Sequence, residues 1–316
     1  MSNIETGAAG ASAGAEFAGV TLHLLRRYAA GVPAAQRNDV DNAVWKMLDR
    51  LPEARSVAQR LVQLTDKLGD EQKRAHFGGT YAFKPAPTAV PRQDLAAIFD
   101  RLGGTAVTDD TPAPGTPGAA PHTYELQFSH MICDDESDPE WVGKDEPYTV
   151  FAIITQQQVD DGEPARSLRT PFYKANDGDR NPATGSEKLR LFGRSGATAI
   201  SSDVLLTAAH FEHDLGDAAK IVGEIGEILT TAAALAGVLG MPVIAAAAGA
   251  LASIAGFISS VGADDPVGEP QKLALTQAFA DSKTQNSSLV TLPAMKFDGG
   301  DKNGVYRVFL TLRRAS

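Results

Sequence analysis

The sequence predicts an α+β protein: helices first, then an antiparallel β-sandwich carrying an inserted apolar helical hairpin. Three observations predict it. Apolar residues recur at helical spacing through the first third of the chain. Short β-rich runs take over after a stretch dominated by Gly, Pro and Ala. Within that second part, residues 228–263 hold no charged side chain.

The chain has 316 residues, enough for two domains with a real core. Its formal net charge is −10, and no Lys/Arg cluster is interleaved with aromatics, so nucleic acid is not an expected partner. The single cysteine, Cys133, excludes a disulfide within the chain and argues against a cysteine-based zinc site; its apolar neighbours predict a buried thiol. The opening residues have no basic segment followed by an apolar one. No cleavable signal peptide is therefore expected, and the location reads as cytoplasmic or reached by a signal-independent route.

Taken in order, residues 1–14 are rich in Gly, Ala and Ser and are expected to be disordered. Residues 15–102 are expected to form a helical domain. Leu22, Leu25, Tyr28 and Ala29 share one helical face. Val40, Val44, Met47, Leu48 and Leu51 form another after an Asn38/Asp39 start signal, and Val57, Leu61, Leu64 and Leu68 a third that ends at Gly69. A short helix follows at about residues 92–102. Residues 103–122 have no apolar periodicity and are expected to be a linker.

Residues 123–316 carry the strand patterns. Tyr124, Leu126 and Phe128 alternate with polar residues, and further runs occupy 148–154, 188–192 and 204–211. VYRVFLTL, at 305–312, closes the series. The exception is 218–262, where Gly240 and Pro242 divide an Ala-rich segment into two expected helices, about 219–239 and 243–261. Each is about 20 residues, near the length that crosses a hydrocarbon core of about 30 Å.

Oxygen-bearing side chains concentrate in loops. Asp134, Asp135, Glu136, Asp138, Asp145 and Glu146 lie in the first; Glu212, Asp214 and Asp217 in the second; Asp264 and Asp265 in the third. A fourth, NDGDRN, holds Asp177 and Asp179. Clustered carboxylates repel unless a cation sits among them, and calcium takes six to eight oxygens from flexible loops. Acidic turn residues are also simply favoured in turns, which is the other reading of each loop.

The order of three motifs resembles the C2 family. Asp145-Glu146-Pro147-Tyr148 is similar to its Asp-Pro-Tyr, Glu212-His213-Asp214 to its spaced acidic pair, and Asp264-Asp265-Pro266-Val267-Gly268 to its Asp-Asp-x-Val-Gly. The resemblance covers residues 123–316 and implies a calcium-binding β-sandwich. Carried over, the Ca2+ ligands would be Asp138, Asp145, Glu212, Asp214 and Asp264, with Glu146 and Asp265 as competing neighbours. This chain departs from the family in an extra residue before Pro147, in Glu212 for Asp, and in about fifty residues between Asp214 and Asp264.

That long insert is the hairpin. Its apolar residues Leu229, Leu235, Val238, Leu239, Val243, Ile244, Leu251, Ile254, Phe257 and Ile258 are the candidates for contact with a phospholipid membrane or with another copy in a homo-oligomer. Burial on the sandwich or on the N-terminal helices is the alternative. The two are compatible, because a folded form can shelter a hairpin and release it. The expected function is calcium-dependent membrane interaction, of the kind a bacterial membrane-inserting toxin or effector performs. A structural or oligomerisation module, and a hydrolase, are the other readings. Val204–His210 is similar to the histidine segment of trypsin-like proteases, but no Gly-Asp-Ser-Gly-Gly follows, so triad chemistry is not expected.

Overall fold

The computed structural model describes residues 3–103, 122–136, 146–182, 189–192, 202–213, 217–259 and 265–314. The N-terminal helices are α1 (Asn3–Ala29), α2 (Asp39–Leu48), α3 (Ala54–Asp66), α4 (Asp70–Phe77) and α5 (Arg92–Arg101). Then come β1 (Tyr124–Asp135), β2 (Pro147–Thr155), α6 (Gln156–Asp161), β3 (Arg166–Arg169), β4 (Arg180–Asn181), β5 (Arg190–Phe192) and β6 (Val204–Glu212). Two apolar helices follow, α7 (Ala218–Val238) and α8 (Ala247–Ile258), joined through a 3-10 turn at Val243–Ala246. The chain ends with β7 (Asp265–Pro266), β8 (Gln271–Leu275), α9 (Gln277–Thr284), β9 (Leu289–Thr291), β10 (Met295–Asp298), α10 (Gly300–Asn303) and β11 (Val305–Arg314).

The α+β class stands, with two antiparallel sheets. One runs β10-β11-β1-β4, with β5 also on β1 and β9 also on β11; the other runs β3-β2-β6-β7, with β8 also on β6. Residues of β1, β10 and β11 meet Phe151, Ile153, Val204, Leu206 and Ala208 of the second sheet in a shared core that also buries Cys133.

The second sheet is the middle layer of three. β2 is buried along its whole length and β6 at all but its last residue, Glu212. Side chains alternate across a strand, so Phe151 and Ile153 face the first sheet while Val150, Ala152 and Ile154 face the helices. Such two-sided burial requires the near-continuous apolar runs that these strands carry.

The helical layer joins what the sequence separates. Phe17, Leu22, Leu25, Val44, Trp45 and Leu61 of the N-terminal helices share one core with Leu229, Leu235 and Ile254 of α7–α8 and with Tyr148, Val150 and Phe211 of the middle sheet. The helices expected to stand apart at 15–102 therefore pack as one layer with α7 and α8. The expectation of disorder at 1–14 is corrected as well: α1 is helical from Asn3. Alanine is the strongest helix former, and small residues let α1 dock closely; Ala13 is fully buried, and a Cβ on Gly14 would lie 3.1 Å from that of Ala252 on α8. The expected linker at 103–122 lies almost wholly outside the described residues.

Candidate functional site

Strand register gathers part of the acidic set. Pro147, which follows Glu146, pairs with Glu212, and Glu212 pairs in turn with Asp265. The backbone N–H of His213 donates to the carbonyl of Glu146 at 3.2 Å. Glu146, Glu212 and Asp265 thus occupy neighbouring backbone positions at one end of the middle sheet. Asp138, Asp145, Asp214 and Asp264 lie outside the described residues. Among the described residues, no three His, Cys, Asp or Glu side chains are placed to hold a metal ion together.

Other acidic loop residues have structural partners. Asp134 accepts a two-pronged bond from Arg307, at 2.6 Å to each oxygen, and that guanidinium pulls its pKa below the ordinary carboxylate value. Asp177 accepts from the backbone of Glu136 at 2.7 Å, and Asp179 from that of Asn176 at 2.9 Å, so the NDGDRN loop spends its carboxylates closing a turn beside β1. Asp217 precedes α7 and pairs with Lys220 at 2.9 Å.

An aromatic patch that the sequence reading missed lies beside this rim. His213 stacks on Phe172 with centroids 4.0 Å apart, and the Arg169 guanidinium sits 4.2 Å from the centroid of the Phe172 ring. Among the described residues, Phe172 is one of three large apolar side chains left exposed, at 37%. Its only signal in the sequence was a Thr-Pro-Phe-Tyr break after β3, too common a pattern to single out.

In the chain, the apolar helical segment lies between two residues of this rim, Glu212 and Asp265. α7 starts at Ala218, six positions beyond Glu212 and directly after Asp217, and α8 ends at Ile258, seven positions before Asp265, the strand partner of Glu212. From there the helices fold back over the outer face of the middle sheet. Leu229, Leu235, Val243, Ile254 and Phe257 are buried, and Val238, Leu239, Ile244, Leu251 and Ile258 are half-buried. α7 is long and apolar enough to cross a membrane by length and composition, yet here it is largely a core helix.

α7 carries two carboxylates into that core. Glu224, 4% exposed, accepts from Arg60 Nε of α3 at 2.6 Å. Burial raises its pKa, and Arg60 opposes the rise. Glu227, 1% exposed, has no hydrogen-bond partner on either oxygen among the described residues, and burial pushes its pKa up to about 9. Glu227 is therefore a neutral acid at pH 7.

Set beside known proteins, the chain matches no family model, no curated protein and no solved structure.

Two features bear on the hydrolase reading. His210 is buried, bonded to Thr149 Oγ1 at 2.9 Å, stacked on Phe297 and tilted against Tyr306 of the facing sheet; burial pushes its pKa down to about 3. It serves the core between the sheets and not a cleft. Two open hollows, about 230 and 320 Å³, adjoin the end of α7 and share Asp160 and Gly237; no Ser, Cys or His lines either, so neither offers a nucleophile–base pair.

Proposed function

We propose that this chain is a calcium-dependent membrane-interacting protein whose apolar helices α7–α8 are sheltered in the fold and given up to lipid. The observation that carries the reading is that Glu146, Glu212 and Asp265 share one end of the middle sheet and that α7–α8 occupies the chain between Glu212 and Asp265. A cation at this rim would lower its negative charge and its repulsion from anionic headgroups. The donor chemistry fits a hard ion: the rim offers carboxylates, and the lone cysteine is buried between the sheets. Glu146, Glu212 and Asp265, with Asp138, Asp145, Asp214 and Asp264 from the adjoining segments, are the residues that would hold calcium. Exposed Phe172 under Arg169 adds an apolar ring and a cation on the same side, a pairing suited to a bilayer interface. The two-sheet unit is, on this proposal, a degenerate C2-like sandwich with α7–α8 inserted in one loop.

The experiment is co-sedimentation of the full chain with phosphatidylcholine/phosphatidylserine vesicles in calcium or in chelator. Binding in calcium that drops at least tenfold in chelator, and drops likewise in Asp214→Asn, supports the proposal. Equal sedimentation in both conditions rejects it.

The burial of α7–α8 favours a second reading, in which they are a structural core and the chain is a non-enzymatic interaction module. Oligomers that form without lipid, together with no vesicle binding in calcium, would select it.

A further inference from the structure

We propose that acidification is a second trigger for α7–α8: protonating Glu224 breaks its tie to Arg60 and leaves the stretch 221–259, beyond Lys220, without a charge and free to enter lipid. This rests on the reading of α7–α8 as a lipid-active element and adds a control that calcium does not supply.

Two ionisable residues alone fall between 221 and 259, Glu224 and Glu227. The structure treats them differently. Glu227 is sealed in the core with no partner for either oxygen among the described residues, an arrangement that only the neutral acid tolerates. Glu224, one turn earlier, sits where α3 can reach it and is held as an ion pair by Arg60, whose guanidinium also donates to the Lys220 carbonyl at 3.4 Å. One charge therefore separates the stored segment from a wholly neutral one. That charge is also half of the clamp that fastens α7 to α3.

Other titratable or charged groups pack on these helices as well, among them His76 of α4 beside Gly256 of α8 and Lys46 of α2 by the far end of α7. Facing the pair are Arg60 from α3, Lys220 of α7 and Asp217 just before it, and the Tyr28 hydroxyl of α1, which is bonded to Asp49 with Arg55 over its ring. β2 and α8 carry no charged residue. On β3, Ser167 is the residue that meets α7, at Gly226, while Arg169 turns to Phe172; Asp160 and Asp161 of α6 lie by the far end of α7, where Val159 meets Gly237. His210 stays neutral through mild acid. Acid does not loosen the fold in water through Glu224, because burial already favours its protonated form. A lipid surface is needed, where a carboxyl without Arg60 binds its proton more tightly still.

The test is dye release from phosphatidylcholine/phosphatidylglycerol vesicles by the full chain, in chelator, between pH 7.5 and 5. Wild type is expected to release at least tenfold faster at pH 5, and Glu224→Gln to release at pH 7.5 at the rate wild type shows at pH 5. A Glu224→Gln profile that overlays wild type overturns the proposal. Should that variant fold poorly, Ser167→Cys/Gly226→Cys keeps Glu224 and ties α7 to β3: a Cβ on Gly226 would lie 3.0 Å from that of Ser167, and an outward shift of about 0.5 Å brings the pair to the separation of about 3.5–4.5 Å that a disulfide takes. Oxidised, it should not leak at pH 5; reduced, it should. Equal leakage in both forms again overturns the proposal. Calcium-dependent sedimentation at pH 7.5 with no acid response sinks the acid trigger alone. No vesicle binding under any condition sinks the lipid reading beneath it.

Discussion

Arg27 grips Asp41 through two parallel bonds, Nε to Oδ1 and Nη2 to Oδ2, each 2.8 Å, with both side chains fully buried. The same guanidinium donates to the carbonyls of Ala86 and Gln36, at 2.5 and 2.9 Å, so it ties α1 to α2 and to the segment before α5. Asp41→Asn leaves that cation buried without its counter-charge. Removing one partner of such a pair costs about 3–5 kcal/mol. Urea denaturation is expected to show a loss of that size, and a loss below about 1 kcal/mol would mean that the pair is not shielded from water.

Glu227 makes stability depend on pH in a defined sense. Its pKa is raised from 4.5 to about 9, so between those values the unfolded chain has lost a proton that the fold keeps. Wild-type stability contributed by this group is greatest below 4.5 and falls as pH rises, by up to about 1.4 kcal/mol per unit. Glu227→Gln should be the more stable protein at pH 8, with the gap closing toward pH 4.5. A gap of the same size at both ends, in thermal melts, would refute the assignment.

His210 works the other way. Its pKa is lowered from 6.5 to about 3, so as pH falls through that window the unfolded chain takes up a proton that the fold refuses, and stability is lost. His210→Phe keeps a ring against Phe297 and Tyr306 but loses the bond to Thr149, at a cost of about 1 kcal/mol at pH 7.5. Its deficit should vanish or reverse by pH 4.5. A deficit that grows in acid would show that something other than His210 sets the acid slope.

The seat of α8 on α1 leaves no room for a methyl group. A Cβ on Gly249 would come within 2.4 Å of the Phe17 ring. Gly249→Ala should therefore destabilise by about 1–3 kcal/mol despite the better helix propensity of alanine. Phe17→Leu in the same chain should recover part of that loss, a coupling that denaturation of the two single variants and the double variant would measure.

Much of the fold was legible because it is written locally. Asn38 announces α2, and its side chain does accept from the Asp41 N–H, at 3.0 Å, as the start signal implies. The alternation in 305–312 and the apolar run of 148–154 are β11 and β2. The polar strand β3, RSLR, and the short α6 and α9 carry too little pattern to be seen. What no local pattern could report is which surfaces meet. Arg60 and Glu224 are 164 positions apart, and nothing near either names the other. The opening helix was misjudged because Gly and Ser were weighed as loosening the chain, while alanine propensity and close docking on α8 outweigh them. Glu146, Glu212 and Asp265 were singled out by the order of their motifs, and strand pairing makes them neighbours; Phe172 and Arg169, which carry no motif, were not singled out.

Among the described residues the two apolar cores stay separate: one glues helices to the middle sheet, the other glues that sheet to its neighbour. The molecule is in effect a laminate with two seams, and it can come apart along one while the other holds. Peeling the helical leaf away would bare Val150, Ala152, Ile154, Leu205 and Phe211 on one side of β2 and β6, yet leave the opposite faces of those strands bonded. Deuterium uptake should therefore separate into two populations, with the amides of α7 and α8 exchanging as a group ahead of those in β1 and β11.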